Sequence, residues 1–283
     1  MAAPLDLAHR AGYDERFLGT TVPLPLPTDP SIETVVLPYT HFSVAFRPDR
    51  RLAAATAVAI DGRALVDTPR EDAWRLDPRL PEDAQSGDDV YAANDLDKGH
   101  LVRRIDPVWG TAEEAGTADS DTFHYTNAAP QMDVLNRGKQ LWQGLENFLL
   151  DHAERFDRRL AVLTGAVLAD TDPPYRGIQV PLAFWKVAAF VQDGELAATG
   201  YVLDQSPDLS RDAAAEAMAE AVRAGDPPPL GAFRTFQVPV ADVAELTGLD
   251  LGPLPDADLL PPATRAARRW TLLESYDDVA VGS

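Results

Sequence analysis

Residues 180–192, VPLAFWKVAAFVQ, decide how the fold is read. The stretch is nearly continuous in apolar character, with β-branched and aromatic side chains, as a strand is when both of its faces are covered. Two more stretches share that character, LAVLTGAVLAD (160–170) and LAATGYVLDQS (196–206). All three are expected at the centre of a sheet. GAFRTFQVPV (231–240) supplies a further strand, and TVVLPYTHFSVAFRP (34–48) and LAAATAVAIDG (52–62) supply strands near the start of the chain. Helices are expected between them. VLNRGKQLWQGLENFLLDHAERF (134–156) spaces Leu135, Leu141, Leu145, Phe148 and Leu149 at helical intervals. An alanine-rich helix within 210–231 is stopped by Gly225 and three prolines, and a short one follows with Asp242 near its start. AGTADSDTF (115–123) reads as a loop before a short extended piece, HYTNAAP (124–130). Strands and helices mix without a βαβ rhythm, which predicts an α+β fold on a largely antiparallel central sheet flanked by helices.

The chain of 283 residues allows one large domain. Residues 1–31 end in VPLPLPTDPS, too rich in proline for a regular element, and are expected as an extended arm over a single domain at 32–274. Residues 275–283 read as a solvated acidic tail. No apolar stretch approaches the roughly 18 residues of a membrane span. The N-terminus lacks the basic start and apolar run of a secretory signal, so a cytoplasmic protein is expected, although a processed secreted form would look the same.

With 45 Asp and Glu against 25 Lys and Arg, the formal charge is -20. A field of that sign repels polyanions and argues against a general nucleic-acid or anionic-membrane binder. Any anionic ligand must meet a local exception, and NDLDKGHLVRRIDPVWG (94–110) is the best candidate. Having no cysteine, the chain has no disulfide, no thiolate metal site and no cysteine nucleophile. G-x-S-x-G, H-E-x-x-H, a Walker loop and an EF-hand loop are all absent. Chemistry is therefore sought among the five histidines. His9 in the arm, His41 in a strand, His124 near a strand and His152 on a helix each read as surface or packing residues. His100 differs in its neighbours: Asp97 can brace a local turn, Lys98 supplies a cation, and Gly99 permits close backbone approach.

Farther along, an ordered series appears: Asp97-Lys98-Gly99-His100, then Thr126-Asn127-Ala128-Ala129-Pro130-Gln131, then Leu135-Asn136-Arg137-Gly138, Trp142 and Leu145-Glu146. The series resembles the DNA/RNA non-specific endonucleases, the endonuclease G-like ββα-metal nucleases. Their pattern is an Asp-Arg-Gly-His box, a Ser/Thr-Asn-x-x-Pro-Gln stretch, Leu-Asn-x-Gly, a Trp and a Leu-Glu pair. Two departures stand out. Lys98 takes the place of an arginine, keeping the charge but losing the planar fork, and Glu146 follows Asn136 at a longer interval than the family pattern has.

The resemblance implies a metal-dependent, sugar-non-specific endonuclease with a ββα-metal motif. His100 would be the general base that activates water, and Asn136 would be the direct protein ligand of one Mg²⁺, with Mn²⁺ as a substitute. Glu146 would hold metal-bound water, and Lys98 would face the phosphate. Asn127, Arg137, Arg103 and Arg75 would meet the substrate, with Arg70 the other candidate for the upstream arginine near Trp74 and neither at the family's offset, and with Asp97 and Gly99 structural. The implied partners are DNA and RNA as substrate, a second copy in a homodimer, and an inhibitor or regulator. Two other readings stay open: a catalytically silent nucleic-acid or partner-binding homologue, favoured by the two departures, and a phosphodiesterase of small nucleotides, favoured by the net charge.

Overall fold

The computed structural model describes residues 7–70, 72–132, 145, 146, 150, 153, 154, 158–207, 209–231 and 234–273. In chain order the strands are β1 (Leu26–Pro27), β2 (Val35–Pro38), β3 (Phe42–Arg47), β4 (Leu52–Asp61), β5 (Leu96–His100), β6 (Ala128–Met132) and β7 (Arg159–Ala166). They continue as β8 (Pro174–Tyr175), β9 (Ile178–Gln179), β10 (Ala183–Gln192), β11 (Glu195–Asp204), β12 (Arg234–Val238), β13 (Leu249–Asp250) and β14 (Thr271–Leu272). Eight of them form one antiparallel sheet in the order β14-β12-β11-β10-β7-β4-β3-β2. The three stretches that read as continuously apolar are β7, β10 and β11, adjacent near the middle of that order. β10 pairs with β11 along its whole length, from Ala183↔Asp204 to Gln192↔Glu195.

Both faces of the sheet are covered, which is why these strands do not alternate apolar with polar. On one face Phe42, Phe46, Val162, Phe184 and Phe190 pack with Leu101, Val102, Ala129, Leu145 and Ala153. On the other, Leu163, Trp185, Val187 and Val202 pack with Tyr13, Phe17, Val22, Val240 and Val243. The first face carries the elements that bear the motif residues. The second is closed in part by the proline-rich N-terminal segment, whose β1 pairs with β13.

The helices described from end to end are α1 (Asp88–Tyr91), α2 (Ala112–Thr122), α3 (Arg211–Ala224), α4 (Val240–Thr247) and α5 (Pro262–Ala266). α3 starts at Ser210, whose hydroxyl accepts from Ala213 N–H at 3.3 Å, and ends at Gly225 in the left-handed region (φ 73°). α2 corrects the sequence reading of 115–123 as a loop. Thr111 and Glu114 form a reciprocal capping box at its start, and its two buried aspartates are anchored: Asp119 pairs with Arg104, and Asp121 with Arg10 and Thr40.

The expected helix over 134–156 falls largely outside the described residues. Leu145, Glu146, Leu150, Ala153 and Glu154 are helical, with Leu145 and Ala153 buried. Leu135, Asn136, Arg137, Gly138 and Trp142 lie outside the described residues, as do His152 and the acidic tail. No helix among the described residues is long and apolar enough to cross a membrane.

Candidate active site

β5 is not a solvated turn but a strand, antiparallel to β6, with Asp97 opposite Gln131, Gly99 opposite Ala129 and His100 opposite Ala128. The glycine at 99 gives Gln131 its place. A Cβ there would sit 2.1 Å from Gln131 Cδ, so any other residue would make that side chain move. Beyond the strand, Asn127 ties the ribbon to the end of α2. Its Nδ2 donates to Val102 O at 3.0 Å and Thr122 O at 3.1 Å, and its Oδ1 accepts from Val102 N–H at 2.8 Å.

His100 packs in a cluster with two aromatic rings, Trp74 at 4.6 Å between centroids and Phe123 edge-on at 5.1 Å, which also touch each other at 5.4 Å. Its Nε2 is closed to solvent and accepts or donates no hydrogen bond. The nitrogen left to meet a water in the cleft is therefore Nδ1. Burial first, then the charges of Arg70 and Arg104, push the imidazole pKa down to about 3. The ring is thus neutral at ordinary pH.

Around it opens a cleft of about 410 Å³ lined by Arg70, Trp74, Asp97, Lys98, His100, Arg103, Arg104, Ile105, Gln131 and Glu146. Each cation in it has an acid to hold it. Arg70 pairs with Asp72 at 3.1 Å and Arg104 with buried Asp119. Lys98 Nζ stands 3.8 Å from Asp88 and over the rings of Trp74 and Tyr125 at 5.9 and 5.6 Å. Arg103 Nε is 3.9 Å from Glu146 Oε2, while Glu146 Oε1 accepts from Lys186 Nζ at 3.0 Å.

The structure thus brings together His100, Lys98, Asp97, Gly99, Arg103 and Glu146. Two of the residues expected at the substrate sit away from the cleft lining. Asn127 is fully buried with its amide turned to backbone groups, where it braces the ribbon. Arg75 donates to Ala73 O and does not line the cleft; the backbone of Arg75 is fixed against Phe123 and Tyr125, and it is Arg70 that reaches the site. Arg70 and Arg104 were both visible as charges near Trp74 and His100, but no spacing rule selects them. Asn136 and Arg137 lie outside the described residues.

The profile of the DNA/RNA non-specific endonuclease family matches residues 26–258. The chain belongs to this family. It is 39% identical over 261 residues to the uncharacterized protein y4fB of Sinorhizobium fredii (strain NBRC 101917 / NGR234), an alignment covering 85% of this chain and 38% of that protein. The chain therefore spans well under half the length of that relative. Among solved structures it matches a chain of the crystal structure of the EndoG/EndoGI complex, with a TM-score of 0.55 and 17% identity, over 76% of this chain and 84% of that one. That likeness supports the α+β fold.

Proposed function

We propose that this chain is a metal-dependent endonuclease that hydrolyses phosphodiester bonds of DNA and RNA in the cleft around His100. The observation that carries the reading is local. In a chain of charge -20, Arg70, Lys98, Arg103 and Arg104 converge with a neutral imidazole and a carboxylate on one cleft. Cations gathered around a base suit an anionic substrate attacked by water.

Arg70, Arg104 and Lys98 would bind the phosphate and offset its charge, the arginines by paired N–H donors and the lysine as a point charge. His100 Nδ1 would take the proton of the attacking water. A phosphate seated among these cations also offsets the field that depresses the imidazole, so the base strengthens once substrate is bound. Trp74 and Phe123 fix the ring plane, and Asn127 fixes the strand that carries it.

The described cleft offers oxygen donors, the carboxylates of Asp97 and Glu146 and the amide of Gln131, of the hard type that Mg²⁺ takes. Among the described residues no three His, Cys, Asp or Glu side chains group to hold a metal. A Mg²⁺ that keeps most of its waters suits such a cleft, with Asn136 as the direct ligand and Glu146 holding a metal-bound water; Mn²⁺ is the expected substitute. When bound, the ion would neutralise charge on the scissile phosphate and the leaving oxygen. A nuclease indifferent to the sugar endangers its host, so an inhibitor or regulator and a homodimer are further proposals, the first supported by the EndoGI partner of the solved relative.

The test offers the purified chain plasmid DNA, RNA and a small activated phosphodiester in Mg²⁺. Cleavage of both polymers supports the proposal. Cleavage of the small diester alone turns the reading to a small-nucleotide phosphodiesterase, and binding without cleavage turns it to a silent homologue.

A further inference from the structure

Beneath the cleft lies a buried lysine that the mechanism does not use, with the buried carboxyl of Asp106 in its electrostatic reach. Lys186 lies in the middle of β10, opposite Thr164 of β7 and Tyr201 of β11, and its side chain is 1% exposed. Along the strand Phe184 and Ala188, the residues two positions to either side, point to the same face and join its apolar core. An ammonium taken out of water is costly, and replacing a buried pair such as Lys186 and Glu146 by apolar side chains of similar size is often neutral or stabilising. A charge kept there against that cost calls for a role.

Its end lies 3.0 Å from Glu146 Oε1, on the helix above the sheet, while Arg103 approaches the other oxygen, Oε2, at 3.9 Å. Glu146 is 12% exposed and lines the cleft with His100. We propose that Lys186 is a positioning residue that fixes the Glu146 carboxylate in the cleft from beneath. Each carboxylate oxygen has two acceptor sites, so an oxygen held by a cation still has one to offer a metal-bound water. Because Lys186 stands on a central strand paired on both sides, the carboxylate is set in place before metal or substrate arrives, and little ordering is left to do on binding. The inference rests on the role given to Glu146 above.

The test compares Lys186→Met, Glu146→Gln and the double variant in the full chain. Two quantities are read: Mn²⁺ affinity by calorimetry without nucleic acid, and plasmid cleavage, with thermal melts as the control for folding. Lys186→Met should still fold, with a lowered melting temperature because Glu146 loses its closest cation, and should bind Mn²⁺ about 10-fold more weakly and cleave about 10- to 100-fold more slowly. The double variant should be no worse than Glu146→Gln alone, because Lys186 acts through Glu146. Impairment of Glu146→Gln with unchanged metal affinity and cleavage in Lys186→Met overturns the inference, as do losses that multiply in the double variant. Full activity in Glu146→Gln instead removes Glu146 from the reaction, and the inference with it. If Lys186→Met does not fold, Lys186→Gln is read by the same criteria.

Discussion

The central sheet and the ribbon of β5 and β6 are built on opposite terms. In the sheet, β4 is buried along its whole length and β10 over most of it, and the faces are apolar on both sides. The ribbon borders a cleft whose lining is dominated by charged groups, each cation braced by an acid. Hydrophobic burial makes the sheet rigid without specifying chemistry. Paired charges make the cleft specific, but they hold their geometry only because the ribbon is fixed to that sheet and to α2. The two regions meet at Lys186 and Glu146, where a charge from the sheet reaches a carboxylate of the cleft.

If the cleft carries the chemistry and the sheet carries stability, substitutions should separate. His100→Ala should show the largest effect, a loss of about 10²- to 10⁴-fold in cleavage rate, the usual worth of a positioned base, with a nearly unchanged melt. Full activity in that variant would remove the imidazole from the reaction. Next comes Lys98. Lys98→Ala should lose about 10-fold, on the scale of a lost charged contact, while Lys98→Arg stays active. Equal rates in all three proteins would make Lys98 a solvated bystander.

Asn127→Leu sharpens the comparison from the other side, because it removes a buried brace rather than a cleft group. It leaves Val102 N–H without its partner and should cost about 1–3 kcal/mol of stability for that group, with activity falling in step as the strand carrying His100 loosens. A stable variant with lost activity would return Asn127 to the substrate face. Arg70→Ala should raise KM, while Arg75→Ala should leave it nearly unchanged, a contrast that steady-state kinetics on one DNA substrate resolves.

The smallest effect concerns pH. With the imidazole pKa near 3 in the free cleft, the base stays deprotonated as pH falls through its ordinary value of about 6.5. kcat/KM, which reports the free protein, should therefore stay flat there, and the acid limb of kcat should lie at higher pH, since bound phosphate raises the imidazole pKa. Burial raises the carboxyl pKa of Asp106, beside Glu146, to about 7, so a kcat/KM limb at about 6.5 that persists in Asp106→Asn would show that His100 is not shielded as described.

Much of this was legible in the sequence, for physical reasons that differ by region. β7, β10 and β11 were readable because burial on both faces leaves no polar positions to interrupt the pattern. The box at 97–100 was readable because its order with later motifs is improbable by chance. α2 was not, since Gly116, Thr117, Asp119, Ser120 and Asp121 are poor helix formers; a capping box and tertiary partners for its acids overrule their propensities. The choice of Arg70 over Arg75 depends on how the segment meets Phe123 and Tyr125, which no local spacing encodes. The role of Lys186 is not legible in sequence, because one lysine in an apolar strand says nothing of the carboxylate above it.

The most direct measurement is nicking of supercoiled plasmid by the purified chain in Mg²⁺, repeated after chelation with EDTA. The account predicts nicked and then linear DNA in Mg²⁺, no cleavage in EDTA, and recovery when Mg²⁺ or Mn²⁺ is returned. Cleavage that persists in EDTA, or intact plasmid under every metal condition, would contradict it.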